Sequence, residues 1–259
     1  MGLQLDQNLY PMRKLIAILY FTILYESNLA GQEKIIEQGR IVYTKTVNRN
    51  KIIGAMAKEN SFYLKESKNL ENSTHNLDFK YQLDFNDRYS LFYPLEKQNH
   101  DFESNPIYDV STVVHNIYDQ EELSIQKQVF ETTYSIKGER PKIIWRLTGE
   151  YWKILNFNCR RINGMVQDSV YIVAFYSDQI PIPTGPETFF GLPGLVLEIY
   201  LPHENISWTA TELIDQAPSW NKNIIFKTPH WNRESLKQEI EELKRDRSTT
   251  VRIIRNCLY

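Results

Sequence analysis

Two carboxylates, Asp178 and Glu187, flank a segment dense in proline and glycine, Gln179 to Gly194. Folded side by side, they would make an acid–base pair. Solvated loop charges, or carboxylates accepting from backbone N–H groups, are the commoner fate of such residues. The two cysteines, Cys159 and Cys257, are too few for a thiolate metal cluster. In an oxidising compartment they could pair, but they lie 98 positions apart, and the sequence alone does not bring their Cα atoms within bridging distance. Cys159 has no histidine close by in sequence to activate it as a nucleophile. The five histidines, His75, His100, His115, His203 and His230, are too far apart for two to share one helical turn as zinc ligands. No phosphate loop, dinucleotide fingerprint, Gly-x-Ser-x-Gly or Cys-x-x-Cys occurs. A triad built from distant positions would leave no local trace. The sequence therefore assigns no catalytic residue, no metal and no cofactor.

The elements that would position these residues begin with a leader. Met12-Arg13-Lys14 precede an uncharged run of 11, Leu15 to Tyr25. That run is too short to span a bilayer and fits the core of a signal peptide. Ala30 and Gly31 supply small residues for cleavage, so residues 1–31 read as the leader and 32–259 as one mature domain. Met1 or Met12 can serve as the start, because Gly2 to Pro11 add nothing to the signal. No later segment reaches about 18 uncharged apolar residues, so no transmembrane helix is expected in the mature chain. The charge of 30 basic against 32 acidic residues argues against nucleic acid as a partner.

Hydrophobic residues make up 42% of the chain, and 33 aromatic side chains with only 10 glycines favour pleated sheet. Leu77, Phe79, Tyr81, Leu83 and Phe85 alternate with polar residues, the pattern of a half-buried strand. A hairpin through Asn86-Asp87-Arg88 would lead to Ser90–Tyr93. Further strands are expected at Gly39–Val47, Ser61–Lys65, Lys127–Lys137, Lys142–Leu147, Lys153–Ile162, Val166–Tyr176, Leu195–Leu201 and Ile206–Leu213. Asn163-Gly164 predicts a type I′ turn between two of them. Residues 96–126 read as an irregular insertion with a short helix near 119–128. Leu236, Ile240 and Leu243 share one face of a helix over Asn232–Arg247, and Thr249–Arg255 reads as a last strand. The fold class is mainly β (α+β): a single antiparallel meander or half-barrel sheet with one C-terminal amphipathic helix.

Between strands, Pro181, Pro183 and Pro186 stiffen the chain, and Gly185 and Gly191 admit unusual dihedrals. Leu192-Pro193-Gly194-Leu195 has the residues of a type II turn. Phe189, Phe190 and Leu192 would be costly in water and must be covered. The order of an aromatic-rich strand, Ile180-Pro181, Gly185-Pro186, Phe189 and then Gly191-Leu192-Pro193-Gly194-Leu195-Val196 resembles the GLPGLI family of the Bacteroidetes. The resemblance runs from Cys159, which precedes two basic residues, to Ile199. It departs at Val196, where isoleucine is usual, and at Phe175, where tryptophan is frequent. It implies a secreted protein of the cell envelope, in the periplasm or at the surface of a Gram-negative bacterium. It implies no activity and no catalytic residues. The layout also looks like the open half-barrels of periplasmic lipoprotein carriers, an analogy of fold alone.

These readings point to a non-enzymatic envelope protein. It would dock a partner, such as an outer-membrane protein, through the apolar loop 179–194, with Pro181, Gly185, Pro186, Phe189, Phe190, Gly191, Leu192, Pro193 and Gly194 as the binding residues. The alternative is a periplasmic carrier of an apolar ligand such as a lipid, held on an aromatic-lined sheet. A hydrolase using Asp178 or Glu187 ranks third.

Overall fold

The alternation at Leu77–Phe85 becomes a strand whose Phe79, Tyr81, Leu83 and Phe85 are all buried. In the computed structural model, the described residues are 35–70, 76–95, 107–108, 110–120, 122–166, 169–218, 220, 230–242 and 247–256. The signal-peptide reading, Cys257, His75 and His100 lie outside them. The strands are β1 (Gly39–Asn48), β2 (Asn76–Phe85), β3 (Tyr89–Pro94), β4 (Val113–Ile117), β5 (Glu122–Val129) and β6 (Thr132–Glu139). They continue as β7 (Ile143–Ile154), β8 (Phe157–Val166), β9 (Val170–Ser177), β10 (Leu195–Leu201), β11 (Ile206–Ile214) and the two-residue β12 (His230–Trp231). The helices are α1 (Arg49–Glu59), α2 (Leu64–Leu70), α3 (Arg233–Glu242) and α4 (Arg247–Asn256).

All the strands join one sheet in the order β12-β6-β5-β4-β3-β2-β1-β11-β10-β9-β8-β7. Two runs of sequential antiparallel neighbours, β1 to β6 and β7 to β11, are stitched together where β1 pairs with β11, and β12 adds to β6 in parallel. Strands of this sheet stand about 4.8 Å apart, so β6 and β7 would be nearly 50 Å apart if it were flat. Yet only Arg140, Pro141 and Lys142 connect them, a span of at most about 14 Å. The sheet must therefore curl strongly. It stays open, because β6 and β7 do not pair with each other.

This corrects the expected architecture. The sequential-neighbour character survives, but the sheet is an open antiparallel one with several short helices, not one with a single C-terminal helix. Ser61–Lys65 is a 3-10 turn entering α2, because Asn60 accepts from the Phe62 N–H and caps it. The segment 119–128 holds β5 instead of a helix, with Leu123, Ile125 and Val129 buried in alternation. Thr249–Arg255 is helical within α4, where Ile253 is buried and Val251 exposed. The expected turn at Asn163-Gly164 lies inside β8. The strands of Cys159 and Tyr171, β8 and β9, stay paired out to Val166 and Val170, so their reversal lies beyond Val166. A separate hairpin, β7–β8, turns at Leu155-Asn156, whose φ values of 48° and 69° are both positive, as a type I′ turn requires. Gly164 is needed for packing: a Cβ there would lie 2.6 Å from the Trp145 ring. Among the described residues no helix is long and apolar enough to cross a membrane.

Candidate functional site

The Pro/Gly segment leaves β9 and re-enters the sheet at β10, and between them much of it is buried against the sheet. The Leu195 N–H donates to the Ile180 carbonyl and the Val196 N–H to the Thr184 carbonyl, so the loop folds back along β10. The Gly191 N–H donates to the Pro183 carbonyl, and the Ile182 and Thr184 N–H groups each reach back two residues. Ile180, Ile182, Thr184, Glu187, Thr188, Phe189 and Leu192 are buried. Gly185 and Pro186 are buried as well, Phe190 is half-buried, and Pro181, Gly191 and Pro193 remain exposed. Gly194 is fixed by close approach, since a Cβ there would sit 2.1 Å from the Ser177 carbonyl oxygen.

The loop residues reach separate strands and connections of the sheet. The Thr184 and Ser90 hydroxyls are 2.9 Å apart. Phe189 meets the Trp208 ring edge-on, with centroids 5.7 Å apart. Phe190 lies 4.3 Å beneath the Arg140 guanidinium and 5.9 Å from the Tyr118 ring. Arg140 donates on to the Asn116 side chain and the Ile117 carbonyl, which ties the β6–β7 connection to the loop. Phe189 and Leu192 are thus covered by the chain's own sheet, and they present no free apolar face.

The Lys45 ammonium donates to Glu187 Oε1 at 3.0 Å, and both side chains are fully buried. Lys45 Nζ lies 4.9 Å from the Trp208 ring and 5.9 Å from that of Tyr81. A buried charge is tolerated only when paired, and aromatic faces add cation–π attraction. Glu187 has a φ of 50°, unusual for a side chain with a Cβ. Asp178 stands in other surroundings: it pairs with Arg160 at 3.0 Å, and both are about half exposed. Each carboxylate is held by its own cation, so the structure does not join them as an acid–base pair. Cys159 is buried and its thiol donates to the Phe157 carbonyl at 3.6 Å. Burial pushes that thiol's pKa up to about 12, the opposite of an activated nucleophile.

The sequence reading passed over Lys45, although a signal was there. Lys45 falls in phase with Ile41, Tyr43 and Val47, the buried side of β1. A lysine in the apolar phase of a strand implies a buried partner. Lys127 repeats the pattern on β5, in phase with Leu123, Ile125 and Val129.

A second feature lies at the sheet's edge. Among the described residues β7 has a neighbour on one side only, and Ile144, Leu147, Tyr151 and Trp152 on it are 59%, 69%, 65% and 63% exposed. β7 pairs with β8 from Ile143 to Leu147 and again from Tyr151 to Ile154, with a bulge between, where Gly149 takes a φ of 77°. Beside the edge, Ile144, Arg146, Asn163, Met165 and Tyr171 line a groove of about 240 Å³. A shallower groove of about 470 Å³ opens near Asn48, Lys51, Tyr200 and Asn205.

Comparison with known proteins adds one family and one fold. Residues 160–198 match the family described as "Protein of unknown function (Porph_ging)". The match falls inside the stretch that carries the GLPGLI resemblance; the name GLPGLI itself rests on the resemblance alone. Of solved structures, PNGF-II in its P21 crystal form is similar with a TM-score of 0.52 and 14% identity, over 78% of this chain and 32% of that one. PNGF-II in its C2 form gives 0.48 and 13%, over 85% and 33%. The chain thus spans about a third of the length of these structures, and at this identity the likeness is one of fold. Among curated proteins none matches.

Proposed function

We propose that this chain is an exported, non-enzymatic envelope protein that docks a partner protein, and that the docking surface is the free edge β7. The observation that carries this reading is the exposure of Ile144, Leu147, Tyr151 and Trp152 on one edge strand of the described sheet. Large apolar side chains gathered on a soluble surface mark interaction sites, and open sheet edges are templates for further pairing. The loop 179–194 is then the internal brace of the sheet. On this reading its rigidity serves the chain's own core. Phe189, Lys45, Tyr81 and Trp208 are buried together on the inner side of the sheet, where Trp208 meets both the Phe189 ring and the Lys45 ammonium.

The test is a photo-crosslinking amino acid placed at Leu147 in cells, with Phe62, 78% exposed and far from β7 in sequence, as the control position. One discrete protein adduct from Leu147 is expected, absent from Phe62 and lost when Ile144 and Trp152 are both changed to serine. No adduct from any β7 position would remove the reading. Fractionation of the same cells tests export, which requires the chain in the envelope with its terminus near Gln32.

A further inference from the structure

Resting on that docking reading, we infer that the occupant of β7 is an extended, carboxylate-bearing segment of another protein, added as a strand with an acidic side chain against Arg146. Three observations carry this. First, among the described residues β7 is hydrogen-bonded along one side only, so its other side offers N–H and C=O groups that a polypeptide strand can satisfy and lipid tails cannot. The bulge at Thr148–Glu150 confines such a ladder to the five residues Ile143–Leu147 and to the shorter run after it.

Second, the charge at this edge is unbalanced. Lys142, Arg146 and Lys153 are exposed and make no ion pair among the described residues. The nearby acids are engaged: Glu150 with Arg161 at 2.5 Å and Asp178 with Arg160 at 3.0 Å. Lys142 and Arg146 flank Ile144 at the start of this edge, and Lys153 follows Tyr151 and Trp152 near its end, so an occupant needs carboxylates interleaved with apolar residues. A second copy of the chain would bring the same three cations to the same edge. Third, Arg146 lines the 240 Å³ groove with Ile144, Met165 and Tyr171, which gives an incoming acidic side chain an apolar floor and a guanidinium partner.

The experiment titrates the full mature chain against two fluorescein-labelled synthetic strands, Thr-Val-Glu-Val-Thr-Val-Glu and its counterpart with lysine for glutamate. The glutamate strand should bind at least about tenfold more tightly, should weaken with added salt, and should protect amides of residues 143–147 from hydrogen exchange. Arg146→Glu, at an exposed position, should reverse the preference. Equal binding of the two strands, or no binding of either, overturns the inference. If neither strand binds but Leu147 still crosslinks in cells, the docking reading stands and only the strand chemistry falls; loss of both removes both. A concentration-dependent dimer in sedimentation, abolished by Arg146→Glu, would assign the edge to a second copy. Co-pelleting with phosphatidylglycerol vesicles, dependent on Trp152, would assign it to lipid. Either result overturns the acidic strand.

Discussion

Lys45 and Glu187 are 142 positions apart in sequence and 3.0 Å apart in space. Removing one member of a buried ion pair leaves a charge in a medium that cannot solvate it, at a cost of about 3–5 kcal/mol. Replacing both with apolar groups of similar volume costs far less. Lys45→Met should therefore destabilise the protein by about 3–5 kcal/mol in urea unfolding, and the double variant Lys45→Met, Glu187→Leu should recover most of that. A loss under about 1 kcal/mol for the single variant would mean that the pair does not anchor the loop. His115 yields a prediction in pH. Burial lowers its pKa, so the folded protein binds this proton less readily than the unfolded chain. The resulting stability is present above the ordinary histidine value of about 6.5 and is lost as pH falls towards the depressed folded value. The fall in Tm between pH 7.5 and 5.5 should accordingly be smaller in His115→Gln than in the parent.

At the scale of elements, the loop's shape depends on glycine for two different reasons. Gly194 is pinned by the Ser177 carbonyl, which a Cβ would approach to 2.1 Å, whereas Gly191 has open space around it and a φ of 93°. Gly191→Ala should cost about 1–2 kcal/mol in backbone strain. Gly194→Ala forces backbone to move and should cost more, about 3 kcal/mol. Calorimetry that ranks the two variants the other way would refute this account of the loop. Stiffness and the need for cover were legible in the prolines and in Phe189 and Leu192. Nothing in the segment itself told whether a partner or the chain's own sheet would supply that cover. Asn163-Gly164 misled for a related reason: a glycine after asparagine signals a turn locally, but here the glycine makes room for Trp145 from the neighbouring strand. The reversal from β8 to β9 lies beyond Val166, and the positive dihedrals at Leu155 and Asn156 belong to the preceding hairpin, where β7 turns into β8. The β-branched run in Thr249–Arg255 was overridden in the same way by tertiary packing, which buries Ile253 from a helix.

For the molecule as a whole, the decisive contact is the least local one. Hairpins β2–β3, β5–β6 and β7–β8 close between near neighbours, and their alternation is visible in sequence. The junction of β1 with β11 pairs Arg40 with Ile214 and Val47 with Ile206, across 174 and 159 positions, and no short-range pattern encodes it. It is reinforced by Tyr43, whose hydroxyl donates to the Val196 carbonyl at 2.5 Å. Lys45 also belongs to β1 and draws in the loop through Glu187, so closing the sheet and seating the loop are one event. Amides of β1, β2, β10 and β11 should then exchange only by global opening, while the amides of β7 that face away from β8 should exchange almost freely. Hydrogen exchange read by mass spectrometry should rank peptides from β1 and β11 slowest and those from 143–154 among the fastest of the strands. Lys45→Met should speed β1, β11 and the loop together, with little effect on the β7–β8 hairpin. If the loop alone responded, seating the loop and closing the sheet would be separate events, and the brace would have to be held by Thr184 and Phe189 instead.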